Sequence, residues 1–177
     1  GELTSDETWD ASRIYYLQGR VVVSAGVTLT ILPGAIIKGK QGTETNASAL
    51  IVAKGGTIIA NGTAANPIIF TSELDDIQIG QKVGTNLSKT DNEKWGGVVI
   101  LGNAPVSTEN GDTEGNVEGI PANLGYGVYG GSDAGDDSGS LQYVSIRHGG
   151  ITIGEGNELN GLTLGGVGAG TTINNIE

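Results

Sequence analysis

The sequence predicts an all-β fold, a right-handed parallel β-helix, and three observations carry that expectation. Short β-branched runs recur between glycine- and proline-containing corners: Val21-Val22-Val23, Val27-Thr28-Leu29-Thr30-Ile31 and Ala35-Ile36-Ile37, then Leu50-Ile51-Val52, Thr57-Ile58-Ile59 and Pro67-Ile68-Ile69-Phe70. The second trio trails the first by about 29 to 32 residues, a period at which units too short to bury themselves stack into a solenoid. No stretch of about ten residues shows a 3.6-residue apolar period.

Each segment then takes a place. Residues 1–20 are expected to cap the first coil, with Trp9 and Tyr15 or Tyr16 as covers for its apolar end. The first coil runs from Arg20 to about Lys40 and turns most sharply at Leu32-Pro33-Gly34-Ala35, where proline presets one turn dihedral and glycine accepts the positive one. A polar loop over 41–48 leads to a second coil with Gly55-Gly56 as a corner, ending near Ser72. Residues 73–94 and 104–140 break the pattern and read as two long inserted loops. Between them Trp95-Gly96-Gly97 and Val98-Val99-Ile100-Leu101 open a third coil. Leu141 to Ile146, Ile151-Thr152-Ile153 and Leu162-Thr163-Leu164 are expected to form a fourth, and Thr171-Thr172-Ile173 to begin a fifth. The whole is expected to be one β-helix domain, residues 1–177. No polar capping element follows the last rung, so the chain is expected to be a fragment of a longer one or to dock end to end on another chain.

Composition narrows the function classes. Twenty acidic against nine basic residues give a net charge of -11, which disfavours nucleic acid and anionic membrane surfaces as partners. Without cysteine there are no disulfides or thiolate metal sites. No apolar run reaches about 18 residues, the length a spanning helix needs. With one Phe and no Met, the core must be built from Val, Ile, Leu and Ala.

The second insertion holds the candidate chemistry. It carries seven acidic residues, nine glycines and no lysine or arginine. Asp112, Glu114 and Asn116 alternate oxygen donors along a flexible backbone, and Asp133, Asp136 and Asp137 cluster around Gly135. Calcium takes six to eight oxygens, so these six residues are candidate calcium ligands, although neither stretch matches a helix-flanked calcium loop or a glycine-rich nonapeptide repeat. Trp95, Tyr126 and Tyr129 flank the insertions and are candidate carbohydrate contacts. His148 is the only histidine and has no nucleophile motif beside it; Arg147 could neutralise Asp136 or Asp137. Thr28 and Thr30 have the two-residue spacing of an ice-binding ladder, but the expected register sets Ile51 and Ala53 on the next coil, and the ladder breaks there. Asn46, Asn61, Asn103 and Asn160 are candidates for an internal amide stack. Asn46, Asn61 and Asn86 also begin Asn-x-Ser/Thr sites.

The chain resembles a family of secreted bacterial right-handed parallel β-helix proteins, many described only as hypothetical or as lipoproteins. The matching stretches are Gly26 to Gly34, Pro67 to Ser72, Trp95 to Gly102, Tyr129-Gly130-Gly131 and Asn157 to Gly168. The resemblance implies the fold, an extracellular or cell-surface setting and a sequence that continues past Glu177; it implies no reaction. The function expected is therefore a non-catalytic secreted or surface-displayed module for adhesion, scaffolding or filament building. Its partners would be extracellular proteins or glycans, with end-to-end self-association. The alternative is a calcium-dependent carbohydrate-binding or carbohydrate-cleaving β-helix, which requires two or three convergent carboxylates, or a carboxylate and a base, in one groove.

Overall fold

Short β-branched runs cannot stand alone in water, and here they shelter one another by stacking in parallel. The structure, a computed structural model, describes residues 1–43, 46–154 and 157–177, so two residues of the polar loop over 41–48 lie outside it. One parallel sheet contains β1 (Glu2–Leu3), β4 (Arg20–Val23), β7 (Ala49–Val52), β10 (Gly97–Leu101) and β16 (Leu162–Gly165), in that order. A second stack contains β2 (Glu7–Trp9), β5 (Thr28–Ile31) and β8 (Thr57–Asn61). A third contains β3 (Ile14–Leu17), β6 (Ile36–Gly39) and β9 (Ile68–Ser72). The long strand β13 (Gly139–Ile146) pairs with β8 through its first half and with β9 through its second, so it joins the last two stacks. The final strand β17 (Thr172–Ile176) lies on β13 over its whole length. The fold is a parallel β-helix.

The register differs from the expected one in three places. Residues 1–20 are expected from sequence to cap the first coil, but strands within 1–17 carry the first rung itself, because β1, β2 and β3 pair with β4, β5 and β6. Its aromatics close that end: the Trp9 and Tyr15 rings stack at 5.0 Å, and the Trp9 indole N–H donates to Glu7. Leu141 to Ile146 does not open a new coil but completes the rung begun by β10. Ile151–Gly154 (β14) belongs to no coil at all; it forms an antiparallel hairpin with Asn157–Leu159 (β15). The cause is local. In earlier rungs a loop joins the second and third strands, whereas Tyr143 and Asn175 each turn that corner alone with φ near +50°. One residue then replaces a loop, and the expected spacing shifts.

Inward residues stack in columns. Trp9, Ile31, Ala60 and Leu141 form one, and Val23, Val52 and Ile100 belong to the same core. Trp95 is fully buried in it, 6.4 Å from the Phe70 ring.

Both insertions pack onto the stack as outer layers. Residues 73–80 place Ile77 over Ile14, Ile36 and Ile69, on the outer face of the third stack. Beneath them the buried Lys38 ammonium donates to the Asp75 carbonyl at 2.6 Å, and the Thr71 hydroxyl donates to the Asp75 carboxylate at 2.7 Å. The second insertion forms a hairpin of β11 (Glu114–Asn116) and β12 (Val128–Gly130). With Val117, Ile120, Tyr126 and Tyr129 it covers Val22, Ile51, Val99 and Leu101 on the outside of the first sheet. Arg20 ties this layer down by donating to the Gly119 carbonyl at 2.8 Å. The face formed by β2, β5, β8, β13 and β17 has no such layer among the described residues.

Candidate functional site

The second insertion stops short of the last rung, and a cleft of about 450 Å³ opens there on the outside of the first sheet. Strand alternation explains its floor. The outward column that starts at Glu2 continues through Val22, Ile51 and Val99, apolar under the insertion, and its last member, paired with Val99, is Thr163. The Thr163 hydroxyl is buried and has no hydrogen-bond partner among the described residues. Glu118 and Asn116 from the insertion, Glu158 and Asn160 from the β14–β15 hairpin, and Tyr129 line the rest. Sequence reasoning found Tyr129 and Asn116 but missed Thr163, Glu118 and Glu158. The available signal was a threonine at the column position that Val99 holds one rung earlier.

The six candidate calcium ligands are not brought together. Asp136 accepts from the Asn103 N–H at 2.9 Å and the Ser138 hydroxyl at 3.0 Å, while Asp137 accepts from the Gly139 N–H and Asp133 from the Gly135 N–H. Glu114 pairs with Lys54, Asn116 donates to the Val117 and Ile120 carbonyls, and Asp112 offers its backbone carbonyl to Thr108. Among the described residues no three His, Cys, Asp or Glu side chains converge as a metal site. The carboxylates of Asp133, Asp136, Asp137 and Glu114 are thus engaged with groups of the protein itself.

The aromatic expectation divides in three. Trp95 is fully buried, with its indole N–H donating to the Arg147 carbonyl at 2.8 Å, so it presents no ring to a sugar. Tyr126 packs against the outer apolar layer. Tyr129 lines the cleft, with its ring pressed closely against Gly115 and Gly165; a methyl group on either would approach it to 2.6 or 2.7 Å.

A second cleft, of about 400 Å³, lies between the first insertion and the end of β13. His148 and Arg147 line it. The His148 Nδ1 sits 2.6 Å from the Asp91 carbonyl, which only accepts, so Nδ1 carries the proton and Nε2 is the acceptor nitrogen of the neutral ring. Arg147 donates to the Ser145 hydroxyl and the Lys82 carbonyl and lies 3.5 Å from Glu177, not beside Asp136 or Asp137. The Asp91 carboxyl is held below its ordinary value by the backbone N–H and hydroxyl of Ser88, with Lys94 and His148 adding to the effect. Asp76 is lowered chiefly by the Thr85 hydroxyl and N–H. Lowered folded values mean these anchors act fully above about pH 4 and weaken as acidification passes through the folded pKa.

The four asparagines named as candidates for an internal stack do not share one column. Asn61 instead heads an outward column with Gln142 and Asn174.

Parallel stacking of the rungs shows the fold, and comparison with known families decides the family: residues 1–177 match the pectate-lyase-like β-helix domain. The chain belongs to that family. No curated protein and no solved structure significantly matches this pectate-lyase-like β-helix chain.

Proposed function

We propose that this β-helix is a non-catalytic secreted or cell-surface module, acting as an adhesion or scaffold element. The observation that supports this reading is the use made of the insertions. Their apolar residues plate two outer faces of the stack, and Asp133, Asp136, Asp137 and Glu114 are engaged in turn hydrogen bonds or an ion pair. Stiffness and a fixed surface follow from that construction; convergent acid and base groups do not.

A carbohydrate ligand is the second reading, favoured by the polar side chains of Glu118, Glu158 and Asn160 and the Tyr129 ring that line one cleft. One assay addresses both. The protein is incubated with a panel of neutral and acidic polysaccharides, with calcium or with chelator, and retention and product size are measured. The module reading predicts no shortening of any polymer in either condition; release of oligosaccharides would contradict it. Retention abolished by Thr163→Ala or Glu158→Gln, without shortening, would place a glycan in the cleft.

A further inference from the structure

The uncovered face of the stack brings together a pattern that the sequence seemed to break. In the observed register Thr28 faces Thr57, and Thr8 faces Thr30, followed by Ile59, Ser140 and Thr172 in a single column across five rungs. A third column holds Asn61, Gln142 and Asn174. The ladder expected to fail at Ile51 and Ala53 therefore continues in part: those two residues lie in or beside β7, Thr57 stands opposite Thr28, and Ile59 takes the place opposite Thr30.

We propose that this face binds the surface of ice. Four observations lead there. Beyond the first rung the columns contain no ionisable side chain, on a chain with twenty acidic and nine basic residues; on the first rung Asp6, which accepts from the Thr28 N–H, and Asp10 lie at their edges. Among the described residues, the hydroxyls of Thr8, Thr28, Thr30, Thr57 and Thr172 make no hydrogen bond within the protein, whereas the Ser140 hydroxyl turns to Asn61. The pairing between rungs runs without a register shift, so the side chains form a regular array about 4.8 Å apart across strands and about 6.6 Å apart along them. In tetrahedrally bonded water, two O–H···O contacts of about 2.75 Å place second neighbours about 4.5 Å apart, within a few tenths of an ångström of the rung spacing.

The chemistry suits that occupant. Each threonine offers a hydroxyl that can replace one lattice water and a methyl that gives up its hydration readily; Ile59 keeps the methyl where the hydroxyl is lost. No aromatic ring lies in these columns, which argues against a sugar polymer, for which stacking on a ring is the usual flat-surface contact. The inference does not depend on the module reading, since either a scaffold or an enzyme could carry such a face.

The test uses the full chain. Its partition into slowly grown ice is measured, along with the shape of single ice crystals in its presence. Thr30→Tyr and Thr57→Tyr project bulk from the face, and Val83→Ser, at an exposed position on the first insertion, serves as the control. Circular dichroism melts establish that each variant is folded. The expected result is faceted crystals, enrichment of the protein in ice, and a loss of about tenfold or more in enrichment for each tyrosine variant but not for Val83→Ser. Exclusion of the folded protein from ice would overturn the proposal, as would enrichment that the tyrosine variants leave intact. Retention on insoluble neutral polysaccharide, lost in the same variants while ice is unaffected, would assign the face to a glycan and also overturn it.

Discussion

Trp95→Ala is expected to be among the most damaging single substitutions in the chain. The indole is fully buried, lies near-parallel to Phe70 with an interplanar angle of 11°, and donates to the Arg147 carbonyl. Truncating a buried tryptophan costs about 3–5 kcal/mol through lost transfer energy and the cavity left behind. In a chain of this size that lowers the melting temperature by about 10–15 °C. Trp95→Phe should cost less, because it keeps most of the ring and forfeits the hydrogen bond. A melt of Trp95→Ala within about 3 °C of the parent would mean that the ring lies at the surface after all, where a sugar could reach it.

Gly139→Ala carries the second large effect, and its cause is the backbone. Gly139 opens β13 at φ +109°, a conformation that L side chains rarely adopt. A methyl there would come within 2.0 Å of the Ile58 carbonyl oxygen on the neighbouring strand. Strand β8 cannot yield without opening its ladder to β13, and the Ile58 N–H also donates to Ser138 at 3.1 Å. Strain and lost pairing together are expected to destabilise the fold by about 3 kcal/mol or more. Gly111→Ala is the comparison: its φ is +77°, but open space surrounds it, so strain of about 1–2 kcal/mol is the whole expected cost. Equal melting temperatures for the two variants would refute the close approach at Gly139.

Much of this architecture could be read from side-chain order. Valine and isoleucine triplets at a 29-to-32-residue offset placed β4 to β9, because each strand's burial is decided by its own residues and its neighbours one rung away. The later rungs were harder. A one-residue corner at Tyr143 replaces a six-residue connection at 62–67, and nothing in the composition of Gln142-Tyr143-Val144 announces a positive φ. The insertions misled for a different reason. Glycine and acidic content read as loops inserted between coils, but their sparse apolar residues, Ile77 in one and Val117 and Ile120 in the other, complete outer layers formed by residues far away in sequence. Trp95, beside an insertion, could from its sequence either present its ring to a sugar or pack on the coil beneath it. It is buried, packed so closely on Gly39 that a methyl there would approach it to 2.6 Å. The cleft at Thr163 was the least legible feature, since it depends on where a distant insertion ends.

Rung register underlies every conclusion drawn here, and paired cysteines measure it directly in a chain that contains none. Thr28 and Thr57 face each other on adjacent parallel strands, with Cα atoms about 4.8 Å apart, inside the range that a disulfide spans. The variant Thr28→Cys/Thr57→Cys is predicted to cross-link fully under mild oxidation while retaining the parent melting behaviour, and Thr28→Cys/Ile51→Cys to remain reduced. Cross-linking of the second pair in place of the first would contradict the stacking of β5 on β8, and with it the β-helix as described.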